Sequence, residues 1–146
     1  MKKIVFIIIF ITALTNNSFS AGSSNDSSDV KSNYTKAYNL IKSAKKYEKK
    51  GKTEKAQKRY AKAQKLLLLS NKEKPLQADT LNYLGFTTRK LGDYEAGEEF
   101  YLQGLQIDPN HNGINEYLGE LYVVTNRMDM AKGRLEVLKT CNCEEY

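Results

Sequence analysis

The feature that most limits the folds open to this chain is a self-similarity with a period of about 34 residues, the length of one helix–turn–helix unit. Leu84, Gly85 and Gly97 are followed one period later by Leu118, Gly119 and Ala131. A large aliphatic residue and two small ones at fixed offsets suit a stack of like helical hairpins. Each hairpin has an apolar face that it cannot bury alone, and a neighbour of the same design covers it. Gly92 lies between the halves of the unit, where the first helix must close through a residue at positive φ. Asp93 follows, with a side-chain oxygen suited to capping the next helix. Equivalence of the two units predicts like surroundings for Gly85 and Gly119.

From Ala78 to Asn110 the chain resembles one tetratricopeptide (TPR) repeat. Leu84-Gly85 is the repeat's Leu-Gly pair, Leu81 stands where the pattern has Trp, Tyr101 is the late aromatic, and Pro109 ends the second helix. The resemblance extends over about Ala37 to Lys139. It implies an all-α fold, a TPR α-solenoid of three antiparallel helix hairpins at about 37–70, 78–111 and 112–140. In the first, Gly51 matches Gly92; Leu40, Ala44 and Tyr47 fall on the first helix, and Ala56, Tyr60 and Ala63 on the second. That second helix continues through Leu66–Leu69, with Asn71 to Pro75 as the connection. In the third, Leu118, Gly119 and Tyr122 define the first helix, Asn126 takes the turn, and Met128, Ala131, Leu135 and Leu138 define the second. Gly97 and Gly104 stand where alanine is usual, marking either tight packing or drift at a permissive position. Repeat arrays need a polar face on the last hairpin. Here Lys132, Arg134, Glu136 and Lys139 make it polar enough, a partner or second copy covers it, or the chain is cut short.

Met1 to Ser20 reads as a signal peptide. Lys2 and Lys3 precede an apolar run from Ile4 to Leu14, and Ser18-Phe19-Ser20 places cleavage between Ser20 and Ala21. The run is far shorter than the roughly 20 residues needed to span a bilayer. Export, to a periplasm or to the medium of a bacterium, is the expectation, with no membrane span after cleavage. Residues 21–36 read as a linker. Its stretch from Ala21 to Asn33 has Val30 as its one sizeable apolar residue, too little to offset ordering entropy. The ending Cys-Asn-Cys-Glu-Glu-Tyr is similar to that of a group of small exported bacterial TPR proteins, although there the cysteines are farther apart and a short helix follows.

Little in the sequence suits catalysis. His111, the one histidine, sits in a connecting turn and reads as solvent-facing, so metal sites rich in histidine and Ser-His-Asp triads have little to build on. Glu98-Glu99 reads as part of a solvated helix face. No enzyme activity, cofactor or metal is expected. The residues of the 141–146 tail leave one ambiguity. Cys141 and Cys143 in an oxidising compartment could form a local disulfide, pair between molecules or stay free, or serve a soft metal or redox role.

Charge is unevenly spread. Residues 36–74 carry 14 basic and 3 acidic side chains, or +11, whereas residues 75–146 carry 6 and 12, or −6. This is a lysine face inflated by genome composition, an attractor for anionic surfaces, or a basis for head-to-tail self-assembly between copies. Nucleic acid is disfavoured by export. The resemblance also implies a concave groove for a protein or peptide partner, formed by the first helices of successive hairpins. Carried over position by position, it takes Ile41, Lys45 and Glu48, then Asn82, Phe86, Arg89 and Lys90, then Glu116, Glu120 and Val123. Phe86 is either an anchor for the partner or a side chain folded onto the neighbouring hairpin. The sequence leaves homo-oligomerisation open.

Overall fold

The computed structural model describes residues 32–140; the expected signal peptide, most of the linker, and Cys141 and Cys143 lie outside the described residues. Six helices follow one another: α1 Asn33–Lys49, α2 Thr53–Glu73, α3 Ala78–Lys90, α4 Tyr94–Ile107, α5 Asn112–Val124 and α6 Met128–Leu138. They pair as three antiparallel hairpins, α1–α2, α3–α4 and α5–α6, each stacked on the one before. Among the described residues there is no strand, and no helix is long and apolar enough to cross a membrane.

The same device closes all three hairpins. The backbone N–H of Lys52, Asp93 and Arg127 donates to the carbonyl five residues earlier, at Tyr47, Thr88 and Tyr122. Each such bond needs a left-handed residue just before the donor. Gly51 (φ +67), Gly92 (φ +103) and Asn126 (φ +60) supply it. Helix starts are capped as the sequence suggests at α4, where Asp93 Oδ1 accepts from Ala96 N at 3.0 Å.

Two boundaries differ from expectation. α1 begins at Asn33 rather than Ala37, because Ser32 Oγ accepts from Thr35 N at 3.1 Å and caps the helix early. The last residues of the 21–36 linker are therefore helical. α2 runs to Glu73, so Asn71 belongs to the helix and the connection shortens to four residues around Pro75. Asn33 Nδ2 donates to Glu73 Oε1 at 2.7 Å, tying the start of α1 to the end of α2.

The core follows the large–small scheme. Ala37, Ile41, Ala44, Ala56, Tyr60, Ala63 and Leu67 pack with Leu81, Leu84 and Phe86. Tyr101, Ile114, Leu118, Leu121 and Tyr122 form a second cluster. Gly85 is required: a Cβ there would lie 2.5 Å from Cε1 of Tyr101. The alternatives at Gly97 and Gly104 resolve to tight packing. A Cβ at Gly97 would lie 3.2 Å from Arg89 N, and one at Gly104 would collide with Ile114 Cδ1. Gly119 is not the full equivalent of Gly85, for its nearest neighbour is Arg134 Cβ at 3.5 Å and no aromatic ring covers it. Leu135 takes the place of Tyr101 in the repeat and is 44% exposed, where Tyr101 is 0%. Met128, also read as a helix-defining core position, is half exposed.

Candidate functional site

The inner helices α1, α3 and α5 meet around one cleft of about 200 Å³. Six of the ten expected groove residues line it: Lys45, Glu48, Phe86, Lys90, Glu116 and Glu120. Lys49 and Tyr117 complete the lining and were not singled out from the sequence. A signal for Tyr117 was available, since it falls one repeat length after Tyr83 and the position is aromatic in both repeats.

Phe86 forms the floor. It is 2% exposed, so of the two readings the structure takes the packed one rather than the protruding anchor. Its ring meets Tyr60 edge-on at 5.7 Å and Tyr117 at 4.8 Å between centroids. Lys45 Nζ stands 4.7 Å from the Phe86 ring and 5.0 Å from that of Tyr117, and it donates to the Tyr117 hydroxyl at 2.8 Å. A cation over two faces draws on both ring quadrupoles, which holds the ammonium group between them.

The rim is laced by ion pairs between helices. Lys90 Nζ donates to Glu48 Oε1 at 2.8 Å, joining α3 to α1, and Arg89 Nη2 donates to Glu120 Oε2 at 2.6 Å, joining α3 to α5. Tyr60 donates to the other oxygen of Glu48 at 2.9 Å. Burial alone would raise the Glu48 carboxyl, but the hydrogen bonds from Lys90 and Tyr60 and the nearby positive charge outweigh it and hold the group below the usual carboxylate range. The result is a dipolar cleft, with Lys45, Lys49 and Lys90 toward α1 and Glu116 and Glu120 on α5.

The remaining four expected groove residues sit elsewhere. Ile41 and Asn82 are buried, as is Arg89, whose guanidinium is spent on Glu120. They offer a visitor almost no surface. Val123 lines a different cavity, of about 330 Å³, between α5 and α6.

Two polar residues have roles that the sequence did not suggest. His111 is not a free turn residue: its Nδ1 accepts from Ile114 N at 3.2 Å and caps α5, while Nε2 lies 3.2 Å from Asp79 Oδ1. Glu98 is not on a solvated face, because Arg127 grips both its carboxylate oxygens at 2.9 and 2.6 Å. Among the described residues no group of three or more His, Cys, Asp or Glu is placed to hold a metal ion.

The tetratricopeptide repeat family model matches residues 78–111, which is the α3–α4 hairpin with its flanking turn. Among solved structures the chain is similar to the first TPR of Spaghetti (RPAP3) bound to the HSP90 peptide SRMEEVD. The two are 19% identical, with 80% of this chain and 88% of that one covered and a TM-score of 0.48. No curated protein matches the chain.

Proposed function

We propose, from a stack of three helix hairpins whose middle member matches a tetratricopeptide repeat, that this chain is a non-enzymatic adaptor of the bacterial cell envelope. It holds a protein or peptide segment in the cleft between α1, α3 and α5. The observation that carries this reading is the convergence of all three inner helices on one dipolar cleft with an aromatic floor. A segment suits it best with acidic side chains toward Lys45, Lys49 and Lys90 and basic ones toward Glu116 and Glu120. The Lys90–Glu48 bridge is 30% and 42% exposed at its two ends, so a visitor can exchange it without an uncompensated buried charge. A cleft on three hairpins gives a small interface, consistent with an affinity on the order of micromolar.

Replacing Lys45 and Lys90 together by Glu should abolish capture of the partner from a cell-envelope extract while leaving the helical circular dichroism unchanged. Undiminished capture moves the site off the cleft. Placement in the envelope rests on the leader-like stretch Met1–Ser20. Amino-terminal sequencing of the protein from its native cells should begin at Ala21, and an intact Met1 refutes export by this route.

A further inference from the structure

The outer face of α2 carries a row of lysines that the stack does not use. The helix buries Ala56, Tyr60, Ala63 and Leu67. Lys58, Lys62, Lys65 and Leu69 each stand two residues beyond one of these, about 200° around the helix and so on its opposite side. Lys72 continues the row at helical spacing. Hydrogen bonds on both flanks fix the rotation of α2. Toward α3, Gln57 Nε2 donates to the Lys90 carbonyl and Gln64 Nε2 to Thr88 Oγ1; toward α1, Arg59 Nε donates to Ser43 Oγ. The row therefore faces away from α1 and α3 and from the cleft that they line. It runs about 21 Å from Lys58 to Lys72, and all five side chains are exposed.

Acidic side chains are nearly missing from this face. Of the three within residues 36–74, Glu48 is held by Lys90 and Tyr60, and Glu73 accepts from Asn33. Glu54 alone meets the row, at Lys58. Among the described residues Lys62, Lys65 and Lys72 have no ion pair. Genome composition would raise lysine in every hairpin alike, yet residues 75–146 carry 12 acidic side chains against 6 basic. The +11 balance belongs to the first hairpin itself.

We propose that this face docks on a bilayer surface rich in anionic phospholipid, with the cleft turned to the opposite side. Charge complementarity calls for a negative partner, and two further observations select lipid. The row is built of lysine, a residue depleted from protein–protein interfaces, whose flexible stem lets the ammonium stay hydrated among headgroup phosphates. Apolar side chains are set among these charges. Leu69 stands in the row at 50% exposure, Leu68 beside it at 48%, and Leu76, in the connection that follows α2, at 71%. Leu76 is also held at φ +58, a costly conformation for a leucine. A membrane offers phosphate to the lysines and hydrocarbon to the leucines, whereas a soluble polyanion offers the first alone.

Flotation of the full chain, purified as its cell processes it, with phosphatidylcholine vesicles tests the proposal. Replacing half of the lipid by phosphatidylglycerol should raise the bound fraction. Salt near 1 M, where the screening length falls to about 3 Å, should release it. Each lysine at an anionic surface is worth on the order of fivefold in partition. Lys62→Glu with Lys65→Glu should therefore lower the partition coefficient at least about thirtyfold. Lys132→Glu with Lys139→Glu changes the net charge equally on α6 and should lower it less than about threefold. Leu68→Gln with Leu69→Gln should lower vesicle binding at least about threefold and leave binding to heparin, a soluble polyanion, unchanged. All six positions are exposed, so helical circular dichroism should not change. No binding to the anionic vesicles overturns the proposal. Equal losses from the two lysine pairs also overturn it, leaving net charge without a docking face. Heparin binding, with vesicle binding indifferent to the leucines, overturns lipid in favour of a soluble acidic polymer.

Discussion

At the scale of single residues, the fold depends on places where a side chain is missing. Gly85 and Gly104 are the clearest, because each leaves room for a large group from the next helix, the Tyr101 ring in one case and the Ile114 side chain in the other. The Gly85→Ala variant should therefore lose about 1–3 kcal/mol in urea unfolding, despite alanine's better helix propensity, because the new methyl overlaps a fully buried ring. A gain in stability would mean that Tyr101 can move aside. Burial pushes the Tyr101 phenol well above its ordinary range, as expected for a ring enclosed on the α3–α4 interface. Gly85 could be read from the repeat spacing, whereas at Gly104 the spacing left tight packing and drift both open and the Ile114 contact decided. The pairings of His111 with Asp79 and of Glu98 with Arg127 could not be read from it, since each joins residues remote in sequence; the His111 cap on Ile114 N is local, but histidine is not among the usual capping residues.

At the scale of elements, the hairpin is the unit that local sequence specifies. Each of the three turns has a residue able to adopt positive φ at the required place, and each first helix ends there. Helix boundaries were less readable, and both errors lay in the first hairpin. The early start of α1 came from a serine cap, and the late end of α2 from a contact between Asn33 and Glu73 that no local pattern announces. The third hairpin separates local pattern from burial most clearly. Leu118 and Leu135 are both helix-defining positions of the third hairpin, one on α5 and one on α6, yet one is 0% and the other 44% exposed. Leu118→Ala should cost roughly 2–5 kcal/mol through loss of buried contacts and the cavity left behind. Leu135→Ala should cost far less. Equal losses in thermal or urea unfolding would show that α6 packs more deeply than its exposure indicates.

At the scale of the whole molecule, charge and packing run in opposite directions along the stack. The first hairpin carries most of the lysines, many of them exposed, while the last exposes the aliphatic side chains of Val123, Met128 and Leu135. The concave cleft lies between these ends, and its ion pairs tie together helices from all three hairpins. The sequence by itself determined the helical class, the number of hairpins, their turns and many core positions of the first two, but not Ile41 or Phe86, which it set in the groove. Those properties follow from spacing and backbone preference, which are encoded within each repeat. Only the tertiary structure decided which groove side chains remain accessible and which are buried. Accessibility is set by what the neighbouring hairpin covers: Phe86 is enclosed because Tyr60 and Tyr117 reach it from both sides, and Leu135 is open because no described residue lies over it.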